Sequence, residues 1–187
     1  PDCAADNRYS LGRTGHVLAI FCKPDCAADN RYSLGRTGHV LFSSTSSMQV
    51  EHRINITARP ETIFGIYEDV QNWHAWDPDT KQATLEGPFK VGSRGRLVPT
   101  KGNAVPMLLT QVVPGKCFTV EARIPLFRMI FEHVLVPTDD ATEVVHRVTF
   151  LGLLSVLLGP ILKKQLNSGL PVTLKRLKAL AESQGAT

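Results

Sequence analysis

Residues 153–182 read LLSVLLGPILKKQLNSGLPVTLKRLKALAE, and this stretch decides the fold. Leu154, Leu158, Ile161 or Leu162, Leu166, Leu170, Leu174, Leu177 and Ala181 recur three or four residues apart, which predicts one long amphipathic helix. Pro160 and Pro171 interrupt its backbone donors and are expected to bend it. A single apolar stripe of that length must lie on something apolar and broad.

The residues before it supply that surface. Met48, Val50, His52, Ile54 and Ile56 alternate with polar neighbours, the period of a half-buried strand. Six further strand candidates follow at 81–86, 93–99, 105–113, 117–124, 128–136 and 142–150, separated by turn chemistry such as Gly87-Pro88 and Pro114-Gly115. Between the first strand and the rest, Pro60 and Glu61 open a short helix with Ile63, Phe64, Ile66 and Tyr67 on its apolar side. A second short helix carries Trp73 and Trp76 on one face and stops at Asp77-Pro78. The expectation is an α+β domain: a seven-stranded antiparallel sheet wrapped around the long C-terminal helix, with two short helices after the first strand.

The first 47 residues do not belong to that pattern. PDCAADNRYSLGRTGHVL stands at 1–18 and again, letter for letter, at 24–41, followed by the linker-like FSSTSS at 42–47. Natural repeats drift and need about three units to share a core. Residues 1–47 are therefore expected to be a disordered, non-native leader and 48–187 the domain. The competing reading is a metal arm built on Cys3, Cys22, Cys26, His16 and His39.

Composition narrows the function. The chain has 187 residues, 43% of them hydrophobic, enough for a core without staples. The net charge of +4 is spread thinly, with Lys163-Lys164 and Lys175-Arg176 the adjacent basic pairs, so no nucleic-acid partner is expected. Cys22 and Cys117 have no metal-ligand spacing, which reads as a reduced, cytoplasmic protein with no metal. No apolar run reaches the roughly 18 residues that span a bilayer. Phosphate-loop, dinucleotide, nucleophile-elbow and zinc-protease motifs are absent from the sequence, and no cofactor is expected.

Ile56-Thr-Ala-Arg-Pro60, Asp69-Val-Gln-Asn-Trp-His-Ala-Trp-Asp-Pro78 and Phe150-Leu-Gly152, in this order, resemble the polyketide cyclase/dehydrase-like branch of the START/SRPBCC helix-grip superfamily. The resemblance covers residues 48 to about 182. It implies a cavity between sheet and helix that binds or carries a small apolar, lipid-, isoprenoid- or polyketide-like ligand. The alternatives are a cyclase or dehydratase and an interaction module acting on a larger assembly. Many members carry a Glu two residues before the Phe of a Glu-x-Phe-x-Gly stretch, where this chain has Val148.

The candidate residues follow. His146 alternates with Val144, Val148 and Phe150, which aims it at the buried face as a ligand contact or a proton carrier. Of Glu132 and His133, one faces the cavity. Arg94, Arg96 and Arg123 could grip an acidic head group, and Trp73 and Trp76 would cap the cavity mouth. Phe131, Phe150, Leu154, Leu158 and Leu162 complete the expected lining. The Leu-rich start of the long helix is also a candidate for transient membrane contact.

Overall fold

The computed structural model describes residues 48–185. The duplicated leader, with the competing metal arm, lies outside the described residues. Seven strands form one sheet: β1 (Met48–Ile56), β2 (Thr80–Leu85), β3 (Arg94–Pro99), β4 (Val105–Val113), β5 (Cys117–Ile124), β6 (Phe127–Pro137) and β7 (Thr142–Leu151). Their order across the sheet is β1-β7-β6-β5-β4-β3-β2, and every pairing is antiparallel. Consecutive strands from β2 to β7 are therefore hairpins. β1 and β2 sit on opposite edges, so the chain between them must cross the sheet.

That crossing consists of α1 (Pro60–Glu68) and a 3-10 helix (Val70–Ala75). α1 has Pro60 in its first turn, where a missing donor costs nothing, and turns Ile63, Phe64, Ile66 and Tyr67 inward. The second helix is a 3-10 helix, tighter than the turn expected from sequence. Because side chains three apart eclipse in this geometry, Trp73 and Trp76 still enter the core together. Trp73 Nε1 donates to the Tyr67 carbonyl at 2.9 Å and locks this segment onto α1.

The long helix α2 runs from Ser155 to Gly185, continuous through Pro160 and Pro171. It travels along β1, tied by polar contacts at intervals. Asn167 Oδ1 and His52 Nε2 are 3.0 Å apart, Lys178 Nζ donates to the Asn55 carbonyl at 2.9 Å, and the Thr57 amide donates to Glu182 Oε1 at 2.9 Å. Leu170, Leu174, Leu177 and Ala181 are its buried apolar side chains. Two apolar clusters result. One joins α1, the tryptophans and the far end of α2; the other gathers Val50, Phe127, Val148, Phe150 and Leu170 near the start of α2.

The junction between β7 and α2 depends on Gly152. Its φ is +102°, and a Cβ there would collide with the backbone carbonyl of Leu126 in the β5–β6 turn. That close approach lets the Leu154 amide donate to the Leu126 carbonyl at 3.2 Å. Gly152→Ala is expected to cost about 2 kcal/mol or more, from strain at positive φ plus the clash. Urea unfolding measures it, and a loss below about 0.5 kcal/mol contradicts this role.

Candidate functional site

α2 follows the β1 edge, so it leaves much of the sheet's inner face uncovered. Between that face and the helix lies a cavity of about 270 Å³. Leu97 of β3, Met107 of β4, Val120 of β5 and Phe131 of β6 form its floor, and Leu162, Leu166 and Leu170 of α2 its roof. At one end it adjoins a polar recess, with which it shares Asp79, Pro99 and Gln165.

The polar core of this cavity is a chain of aromatic groups. His133 and His146 are cross-strand neighbours on β6 and β7, both on the inner face. Their rings meet edge to face at 4.5 Å, and His133 stacks on Phe118 at 4.1 Å with the planes 2° apart. Tyr67, wholly buried, reaches from α1 to share a 2.8 Å hydrogen bond with His146 Nε2. Burial pushes the Tyr67 phenol well up. Burial, with His133 alongside, holds the His146 imidazole well below its ordinary value. Burial also lowers His133 to about 3, against an opposing pull from the Phe118 backbone. Both imidazoles are therefore neutral at physiological pH.

Two carboxyls, Asp77 and Asp79, stand at the wall. Asp77 accepts from Thr80 Oγ1 at 2.6 Å, from Thr173 Oγ1 of α2 at 3.1 Å and from the Asp79 amide at 3.3 Å. Burial raises its pKa against those hydrogen bonds. Asp77 thus staples the end of the 3-10 segment to the helix over the cavity.

Of the residues singled out from sequence, Trp73, Trp76, Phe131, His133, His146 and Leu162 line the cavity. His133 faces it, whereas Glu132 points outward, 3.7 Å from Arg147. The other expected lining residues are placed elsewhere. Arg94 and Arg96 are exposed, since Leu97 and Pro99 take the inward phase of β3. Arg123 is exposed and paired with Glu121 at 2.7 Å, out of phase with the inward Val120 and Ala122. Phe150 is fully buried but stacks on Phe127, and Leu154 packs in the same cluster rather than on the cavity. Leu158 is half-buried and does not reach the lining. Val148 is core. Cys117 is buried.

Sequence reading missed Tyr67 and Asp77 as site residues. A tyrosine inside an otherwise apolar helix stripe was the available signal, because a buried hydroxyl must find a partner. Asp77 gave none, since Thr173 is 96 positions away.

Among the described residues no cluster of His, Cys, Asp or Glu converges as a metal site, and no helix is long and apolar enough to cross a membrane. Near the start of α2, Leu153, Val156, Leu157 and Ile161 are exposed on one stripe, with Leu126 of the adjoining turn.

The neutral histidines make stability pH-dependent. Their folded pKa values lie below the unfolded value, so the unfolded chain binds more protons as pH falls through about 6.5. Stability is complete above that value and is lost toward pH 3. The titratable neighbours are Tyr67 from α1 and, on the same cavity, Asp77, which opposes the loss in part because its raised carboxyl takes up protons earlier. His133→Phe keeps the stack on Phe118 and removes one buried imidazole. Between pH 6.5 and 5 the unaltered chain should lose about 2 kcal/mol relative to this variant, at about 1.4 kcal/mol per pH unit. Parallel urea titrations at the two pH values check it, and equal slopes contradict a neutral His133.

The comparisons with known proteins bear on this geometry. A search of curated proteins finds no match. Among solved structures, the di-domain aromatase/cyclase StfQ of the steffimycin biosynthetic pathway superposes with a TM-score of 0.64 at 13% identity, over 75% of this chain and 52% of that one. The chain thus spans about half of that di-domain protein. The ZhuI aromatase/cyclase from Streptomyces sp. R1128 gives 0.62 at 15% identity, over 73% and 94%. A START superfamily protein from Mycobacterium smegmatis gives 0.60 at 21% identity, over 73% and 98%. These likenesses establish the helix-grip fold. The family model described as polyketide cyclase/dehydrase and lipid transport matches residues 47–182, and the chain belongs to that family.

Proposed function

We propose that the domain from Met48 onward is a carrier that holds one small apolar molecule in the cavity between sheet and α2, with the duplicated leader standing outside the binding unit. The observation that carries this reading is the cavity itself, about 270 Å³ walled mainly by aliphatic and aromatic side chains. Burying a ligand there draws on roughly 25 cal/mol for each Å² of apolar surface removed from water, less the ordering costs.

A proton-transfer enzyme fits the site less well. An effective general acid or base has a pKa near the working pH. Here burial drives His133 and His146 down and Tyr67 up, away from that range. The same environment suits passive binding, since neutral rings bring no charge that a hydrocarbon would have to bury.

Apolar ligands should raise the melting temperature, by an amount equivalent to about 2.7 kcal/mol at a hundredfold excess over Kd. Ala122→Phe, which fills space on the cavity wall, should abolish that shift while the protein stays folded. A panel of hydrocarbons, quinones and polyphenols producing no shift would sink the carrier reading.

The exposed stripe fits pick-up from a lipid surface. Leu126 holds φ of +60°, an unfavourable region for a branched residue, and presents its side chain 63% exposed at the tip of the β5–β6 turn. Leu153, Val156, Leu157 and Ile161 stand beside it, Lys163 and Lys164 follow at once, and residues 144–181 contain no Asp or Glu. Apolar side chains flanked by uncompensated cations suit an anionic bilayer better than a second copy of the same basic surface. Ile124, Phe127 and Leu162 connect this region to the cavity. The chain should sediment with phosphatidylcholine vesicles that contain phosphatidylglycerol, and Leu126→Asp with Leu157→Asp should cut the bound fraction at least fivefold. Equal sedimentation of the double variant, or none by either protein, contradicts lipid docking.

A further inference from the structure

The outer face of the sheet carries a charge arrangement that the cavity does not use. Arg123 of β5 and Arg128 of β6 stand directly opposite each other in the sheet register. Ala122 and Ile124 flank Arg123, Phe127 and Met129 flank Arg128, and all four line the cavity, so both guanidinium groups project from the far side. Like charges facing each other across adjacent strands are destabilising. One carboxylate is shared between the two: Glu121 meets Arg123 Nη2 at 2.7 Å and Arg128 Nη1 at 3.6 Å, which leaves the trio with a net positive charge. Arg96 of β3 extends the row. It faces Pro106 of β4, which adjoins Arg123 by the register of Met107 on Ala122. Arg96 is exposed and makes no ion pair among the described residues.

This row borders the apolar tip. Strands β3, β5 and β7 run the same way, so the β3–β4 turn, the β5–β6 turn and the β7–α2 junction share one end of the sheet. Arg123 and Arg128 stand three and two residues from Leu126. Lys163 and Lys164 follow the exposed leucines on the α2 side, so cations stand on both sides of the tip. Two or three extended residues span about 7 to 10 Å. An apolar element enters the head-group boundary of a bilayer by roughly 5–10 Å, which puts both guanidinium groups at the level of the lipid phosphates when Leu126 is inserted.

We infer that Arg123 and Arg128, with Arg96 beside them, form a phosphate site for the head group of an anionic lipid, engaged when the Leu126 tip enters the bilayer. A phosphodiester offers two unesterified oxygens to two facing guanidinium forks, and its charge offsets the repulsion that Glu121 leaves uncompensated. This inference rests on the lipid-docking reading of the tip and adds to it the group that the docked chain grips, with the outer face of the sheet turned toward the head groups.

The test is sedimentation of the full chain with phosphatidylcholine vesicles, with and without phosphatidylglycerol. Arg123→Gln with Arg128→Gln should lower partitioning onto the phosphatidylglycerol vesicles about tenfold or more, since one arginine at an anionic surface contributes about fivefold. Partitioning onto phosphatidylcholine alone should stay within about twofold. Arg123→Gln by itself should lose about fivefold, and this exposed position keeps the test open if circular dichroism shows the double variant misfolded. Equal partitioning of the unaltered chain onto both vesicles, or undiminished partitioning of the folded variants, would overturn the inference and leave the apolar tip as the docking element. Calorimetry in which inorganic phosphate or polyglutamate binds the unaltered chain as tightly as the vesicles do, and loses that binding in the variants, would also overturn it, by assigning the arginines to a free anion or an acidic protein. Sedimentation with neither vesicle removes the docking reading and this inference with it.

Discussion

A curled antiparallel sheet with one apolar face cannot hide that face by itself, and in this chain a single helix has to cover it. α2 is fixed along β1 by Asn167, Lys178 and Glu182, and the buried side chains of its far half pack with α1 and the tryptophans. The inner faces of β3 to β6 are left too far from the helix to be filled by Leu162, Leu166 and Leu170. An unfilled space follows from that mismatch, and protein interiors otherwise close such gaps because unfilled contacts forfeit dispersion energy. The cavity is therefore a consequence of how the helix is anchored, and a bound apolar molecule would complete the packing.

Apart from Asp79, the polar groups at the cavity are either neutral or heavily bonded. Tyr67 and His146 satisfy one another, Asp77 is held by Thr80, Thr173 and the Asp79 amide, and charged pairs are kept on the opposite face of the sheet. There Arg147 meets Glu51 at 2.7 Å and Arg53 meets Glu143 at 3.2 Å, across β1 and β7. The partly exposed Arg53–Glu143 pair adds little to stability, while both pairs mark the outer face, since a one-residue slip would turn them toward the apolar interior.

Much of the architecture was legible because the hydrophobic period changes from two to helical after β1 and again, for about 30 residues, at the β7–α2 junction. β4 and β5 match their expected limits, while β6 begins one residue earlier because Pro125 and Leu126 alone make the turn. The site was less legible. Alternation says that Arg96 and Leu97, or Ala122 and Arg123, lie on opposite faces, but not which is inward. Only the pairing register decides it: Phe118, His133 and His146 form one cross-strand row. Asp77 and Thr173 meet through folding alone, so no local pattern announces their contact. Phe150 is inward as expected yet is taken up by Phe127, a packing choice made by side-chain volume and not by period.

The central claim is that the domain's apolar interior is a binding site for a molecule the chain carries. Native mass spectrometry of the gently purified protein, followed by organic extraction of what comes with it, tests this most directly. The account predicts one apolar, uncharged molecule per chain. A chain that is recovered empty, and whose mass stays unchanged when apolar molecules are offered in excess, would contradict it.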